Sequence, residues 1–184
     1  MNLTERTLYS GAAPGAEAEF GAQAEAFGLR EVNFTFEGHA PSRTRGLCLL
    51  SAELQASVDA TFVHIGHAMR RQFPESEAFR LLLSSLWHQV RNGEQVFVVG
   101  RIQEDNTVTG GTGWGAEYAK QCNKPVYVFD QARDGWFRWS GEDWEPGPEP
   151  LITVSAFTGT GTRFLEENGR TAIRSLFARS FGRT

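Results

Sequence analysis

Val96–Gly100 (VFVVG) and Pro125–Asp130 (PVYVFD) bracket the run Gly110-Gly111-Thr112-Gly113-Trp114-Gly115-Ala116-Glu117. The flanking runs are short and rich in Val, Phe and Tyr, as strands buried on both faces should be. The segment between them is long enough for a right-handed crossover, so the two strands should run parallel. The glycines fall where a strand ends and a helix begins, near Gly113. There the chain must turn sharply, and missing side chains let backbone amides approach an anion that a helix N-terminus also favours. A plain turn without a ligand is the alternative for any one glycine cluster.

The same grammar recurs on either side. Thr7-Leu8-Tyr9 leads into Ser10-Gly11-Ala12-Ala13-Pro14-Gly15-Ala16-Glu17, then an alanine-rich helix over Ala16–Phe27 closed by Gly28. Glu31–Glu37 alternates as a second strand, and Gly38–Leu50, with His39, Arg43 and Arg45, reads as a polar loop without a period. Ser51 opens a helix to about Phe73 with apolar positions Leu54, Val58, Phe62, Ile65 and Met69, and Pro74 stops it. Ser76 caps the next helix, about Glu77–Arg91, carrying Phe79, Leu82, Leu83, Leu86 and Val90, and Asn92-Gly93 ends it. Downstream of Asp130, Trp136–Trp139 and a return near Trp144 predict an antiparallel edge hairpin. Leu151–Phe157 (LITVSAF) is the last buried strand, running through Thr158–Arg163 into a helix over Phe164–Phe181.

Glycine loops at Gly11–Gly15, Gly110–Gly115 and Gly159–Gly161 should therefore all open at the carboxyl edge of one parallel sheet. The expected fold is α/β: a doubly wound, Rossmann-like, about five-stranded parallel sheet of order 2-1-3-4-5. Helices should cover both faces, and a short Trp-rich hairpin should sit at the edge. Residues 1–184 are read as a single nucleotide-binding domain. Three converging loops point to a phosphate-bearing ligand at a switch point between strands one and three.

Composition narrows the partners. A net charge of −4 argues against a dedicated nucleic-acid binder, whose footprint is usually basic. Cys48 and Cys122 lack metal or pairing patterns, read as buried small hydrophobes, and suit a reducing cytoplasm. No membrane span is expected. His64 and His67 stand three apart on one helix without a third ligand, so no metal is assigned, and no cofactor is either. His88 reads as a core or rim histidine.

The two glycine motifs carry a family resemblance. Ser10–Glu17 resembles the S-G-G-x-x-G-A-D loop of the SLOG superfamily of Rossmann-like proteins, with Ala12 for glycine and Glu17 for aspartate. Gly110–Glu117 is similar to the P-G-G-x-G-T-x-x-E signature of its Lonely-guy phosphoribohydrolases; the superfamily also takes in DNA-processing protein A. The resemblance implies that amides of Gly110, Gly111, Gly113 and Gly115 hold phosphate. It also implies that Glu117 is the catalytic acid for cleaving a base from ribose 5-phosphate, where a carboxylate stabilises an oxocarbenium-like sugar or orients water. Trp114 replaces the family's threonine, Thr109 its proline, and Arg101–Thr109 is a polar insertion. The family's Arg-Lys pair on the preceding helix is absent: Leu86, Trp87 and His88 stand there, with Arg91 the nearest cation.

The candidate ligand contacts are Ser10, Gly11, Gly15 and Glu17 in the first loop and Gly110, Gly111, Thr112, Gly113 and Gly115 in the second. Asp130 is placed to meet a ribose hydroxyl, and Thr160 and Arg163 belong to the third loop, Arg163 facing a second phosphate or a carboxylate. Asp130 also reads as an ordinary turn former and Arg163 as a helix-start arginine in solvent. The expected function is binding or sensing a nucleotide or nucleotide-derived sugar-phosphate. The alternative is a nucleoside 5′-monophosphate phosphoribohydrolase using Glu117. Leu54–Met69 and Phe79–Val90 supply more apolar surface than one sheet face needs, and a homo-oligomer is implied by the resemblance alone.

Overall fold

The computed structural model describes residues 3–51, 53 and 55–182. Eight strands form one sheet: β1 (Thr7–Ser10), β2 (Arg30–Thr35), β3 (Leu47–Leu49), β4 (Gln95–Gly100), β5 (Val126–Asp130), β6 (Gly135–Trp139), β7 (Trp144–Pro146) and β8 (Ala156–Gly161). Their spatial order is β3-β2-β1-β8-β4-β5-β6-β7. The first six in that order run parallel, and β6 and β7 add antiparallel at the edge. The chain is thus α/β with a mostly parallel sheet.

Five helices cover the sheet: α1 (Ala16–Ala26), α2 (Gln55–Ala68), α3 (Glu77–Asn92), α4 (Gly110–Gln121) and α5 (Glu167–Phe181). Strand β4 shows why both faces are covered. Val96 and Val98 enter a core built with α2, α3 and α4, while Phe97 and Val99 enter a second core built with α1 and α5. Alternate residues point to opposite faces, so an unbroken apolar strand needs a helical layer on each side. All four side chains are fully buried.

The strand order departs from 2-1-3-4-5. The last strand lies between β1 and β4, pairing Leu8 with Phe157 on one side and Val98 with Thr160 on the other. It also lies further along the chain than LITVSAF, over Ala156–Gly161, so Gly159–Gly161 belong to the strand and not to a following loop. Small residues are what the centre of this sheet requires. A Cβ on Gly159 would come 2.5 Å from Cγ of Phe20, a fully buried α1 ring laid on the strand. Residues 151–154 instead lie outside any strand, with Ile152 buried and its amide donating to Ser180 Oγ (2.9 Å).

Other boundaries shift as well. α5 starts at Glu167, not Phe164; α4 starts at Gly110, not Gly113; α2 ends at Ala68, short of Phe73. Leu54 lies outside the described residues. The stretch read as a polar loop contains β3, paired to β2 from Asn33–Leu47 to Thr35–Leu49. Cys48 and Cys122 are exposed, against the expectation of burial: Cys48 lies on a short edge strand exposed at every residue, and Cys122 follows the last turn of α4. Val58, Phe62, Ile65 and Met69 are buried against α3 and α4, so this apolar surface is used within the chain. The Trp hairpin stands as expected, with Trp136 and Trp144 buried. Among the described residues no helix is long and apolar enough to cross a membrane.

Candidate functional site

At the carboxyl edge of β1, β8 and β4 the chain surrounds a cavity of about 840 Å³. One wall is apolar: Phe79, Leu82 and Leu86 of α3. The opposite wall is Thr160–Phe164, the end of β8 and the turn after it. Ala13, Pro14 and Glu17 close one end, and Gly100, Arg101 and Thr109–Thr112 close the other. In a parallel sheet the strand ends and helix starts share this edge, so a cleft lined by backbone amides forms there without further design.

Two helix N-termini reach the cleft, and they differ. At α1 the first glycine loop is wrapped around the chain's own carboxylate. Glu17 Oε2 accepts from the Ala13 amide (3.0 Å) and Oε1 accepts from Thr160 Oγ1 (2.8 Å). Gln89, with its amide oriented by the surrounding network, donates from Nε2 to Glu17 Oε1 (3.3 Å) and accepts from Ser85 Oγ and the Gly11 amide. The Ala16 amide donates to the Thr162 carbonyl (2.9 Å). Burial of Glu17 pushes its carboxyl above the ordinary value, and these donors oppose the shift only in part.

At α4 no side chain caps the N-terminus and no acidic residue sits in the first turn. Gly110, Gly111 and Thr112 of that first turn line the cavity, so the positive end of the helix dipole lies at this edge. Arg101, paired with Glu166, and Arg163 line the same cavity.

The polar insertion Arg101–Thr109 is folded. Ile102 and Val108 form an antiparallel bridge, and the Gln103 amide donates to the Thr107 carbonyl (2.8 Å). Arg71, just past α2, pins the far side. Its guanidinium donates to the carbonyls of Gly110 (3.0 Å) and Val108 (2.9 Å), to Gln103 Oε1 (2.9 Å) and to Thr107 Oγ1 (3.0 Å). The glycines of α4 are thus delivered to the cleft by a held segment.

Of the sequence candidates, Glu17, Gly110, Gly111, Thr112, Thr160 and Arg163 line the cavity. Ser10 is fully buried and its Oγ donates to the Gly159 carbonyl (2.7 Å), tying β1 to β8. Gly11 backs onto Gln89, Glu17 and Ser85; Gly113 packs on the Val108 carbonyl; Gly115 packs on Leu86. Gly15 has φ of 87° and meets the carbonyls of Thr162 and Arg163, where a side chain has neither the conformation nor the room. Asp130 is buried and its carboxylate accepts from the amides of Ile102 (3.1 Å), Ala132 (2.9 Å) and Arg133 (3.3 Å), so it braces the cleft from outside.

Glu117 sits elsewhere on α4. Its carboxylate is 3.1 Å from Lys120 Nζ. That ammonium also donates to the Asn106 carbonyl and lies 3.8 Å from the centroid of Trp139. Residues the sequence reading did not place in the site are Arg101, Thr109, Gln131, Thr162, Phe164 and Glu166, along with the α3 wall. Arg101 had a usable signal, since it directly follows the VFVVG strand at the binding edge.

Burial and Arg91 together hold His88 below the ordinary imidazole range, and its ring lies against Phe34 and Trp87. Among the described residues no group of three or more His, Cys, Asp or Glu side chains is placed to hold a metal ion. Compared with protein-family models, curated proteins and solved structures, the chain matches none.

Proposed function

We propose that the chain is a Rossmann-like protein of the SLOG type that binds a nucleotide or nucleotide-derived sugar-phosphate, as a binding or sensing protein. The observation that carries this is the contrast between the two helix N-termini. The α1 loop is already filled by the chain's own Glu17 carboxyl, while the uncapped start of α4 lines a cavity of about 840 Å³. A phosphate fits the open one, supported by Arg101 and Arg163 at the rim, with the apolar α3 wall left for a less polar moiety.

The hydrolytic alternative draws less support. Glu117 is engaged with Lys120, and the cavity lining contains Glu17 but not Glu117. The test is a thermal-shift screen against nucleoside mono- and diphosphates, ADP-ribose and cyclic nucleotides, followed by a check of each hit for released base. A ligand at 100 times its Kd should stabilise by about 2.7 kcal/mol, which for this chain length is a rise of roughly 5–10 °C in Tm. An intact, stabilising ligand supports the binder. Base release that disappears in Glu117→Gln would replace it with the hydrolase, and no shift from any compound would remove the phosphate site.

A further inference from the structure

Phe164 is 72% exposed, more than any other large hydrophobic among the described residues, yet it stands on a fixed turn. Its amide donates to Thr162 Oγ1 (3.1 Å), and its carbonyl accepts from Gln131 Nε2 (3.3 Å). Thr162 is itself held by the Val99 carbonyl (2.9 Å), and the neighbouring Leu165 packs into the α1–α5 core. The turn has a way to bury a hydrophobe, and it does so with Leu165. Phe164 is instead presented at the lining of the cavity, with the Arg163 guanidinium 4.9 Å from its ring centroid.

A rigidly carried, solvent-facing ring at a cleft mouth costs hydration free energy unless something covers it. An aromatic ring backed by a guanidinium is a surface on which a heteroaromatic base stacks, whatever its hydrogen-bonding edge. Gly110, Gly111 and Thr112, the proposed phosphate subsite, line the same cavity, so one ligand carrying both a base and a phosphate can use both features. The volume, about 840 Å³, also exceeds the need of a pentose phosphate alone.

We propose that Phe164 is the stacking platform for the base of the ligand, which makes it a specificity-determining residue and the cleft selective for base-bearing nucleotides over bare sugar-phosphates. This rests on the reading of the cleft as a phosphate site, and the test separates the two. Calorimetric titrations use AMP, GMP, CMP, UMP and ribose 5-phosphate against the wild type, Phe164→Ala, Phe164→Leu and Phe164→Trp.

At least one nucleotide should bind the wild type about tenfold or more tightly than ribose 5-phosphate, the scale of one base–aromatic stack. That preference should collapse below about threefold in Phe164→Ala and Phe164→Leu and persist in Phe164→Trp. Because the ring is exposed, unchanged unfolding midpoints should accompany the loss. Equal wild-type affinity for nucleotides and ribose 5-phosphate overturns the platform and leaves the phosphate site standing. A nucleotide preference that survives Phe164→Ala also overturns it. Failure of all five compounds to bind the wild type overturns the cleft reading and the platform together.

Discussion

Gly111 and Gly113 stand two residues apart in the first turn of α4, and replacing each with alanine separates binding from folding. A Cβ at Gly111 would meet Leu82 Cδ2 at 3.5 Å and Phe79 Cζ at 3.8 Å, ordinary van der Waals contact. Its φ is not in the left-handed region, so alanine fits the backbone. Replacing a helical glycine should stabilise by roughly 0.5 kcal/mol or less in a first turn, a change in Tm within about 2 °C. The new methyl projects among cleft-lining residues, where the phosphate must approach the amide. Losing one hydrogen bond to a charged group costs about 1.5–3 kcal/mol, or roughly 10–150-fold in nucleotide affinity.

Gly113→Ala should do the reverse first. Its Cβ would fall on the backbone carbonyl of Val108 and 2.8 Å from Arg71 Nη1, neither free to move. Overpacking of this kind costs about 1–3 kcal/mol, a fall of roughly 3–10 °C in Tm. Urea melts give the stabilities and calorimetry with the tightest nucleotide gives the affinities. If Gly111→Ala binds that nucleotide as the wild type does, the phosphate is not received at the start of α4 and the reasoning fails.

Two further perturbations probe the supports of the cleft. Arg71→Ala removes four hydrogen bonds, two of them to backbone carbonyls of the segment that presents Gly110. It should lower stability by about 1–3 kcal/mol and speed amide exchange across 103–109; unchanged exchange would mean that the Ile102–Val108 bridge alone holds the segment. Glu17→Gln tests the buried carboxyl through pH. The folded chain favours protonated Glu17, so its contribution is present below pH 4.5, the ordinary value, and is lost as pH rises through the higher folded value. The stability of the wild type minus that of Glu17→Gln should therefore fall with rising pH above 4.5 and then level off. Other carboxylates cancel in the difference; a gap that stays flat or grows in favour of the wild type would show that the donors around Glu17 outweigh its burial.

Much of the local structure was legible because its causes are local. Alternating or continuous apolar runs marked β4 and β5, a 3.6-residue period marked α3, and Gly28 ended the first helix with φ of 71°. The order of the polar insertion was not legible because it comes from Arg71, some thirty residues earlier, and not from its own pattern. Glu117 illustrates the limit of a motif. The resemblance gives a residue at its spacing from the glycines the role of a catalytic acid, while in the structure its carboxylate lies 3.1 Å from Lys120 Nζ and outside the cavity lining. Phe164 looked like an ordinary helix-start residue, and only the placement of α5 at Glu167 left it on a turn at the cleft.

Sequence alone determined the α/β class, the parallel core strands, the Trp hairpin and the glycine-rich starts of α1 and α4, since each depends on residues close in the chain. Tertiary structure decided the order of the sheet and, with it, the walls of the site. Whether Ala156–Gly161 lies at an edge or at the centre turns on contacts with residues far away in sequence. Phe20 needs the bare backbone of Gly159, and Thr158 Oγ1 donates to the Gln89 carbonyl (2.7 Å). No periodicity within LITVSAFTGTG encodes those partners. Inserting that strand between β1 and β4 brings Thr160 to Glu17 and Phe164 to the cavity, so the identity of the site residues follows from long-range packing.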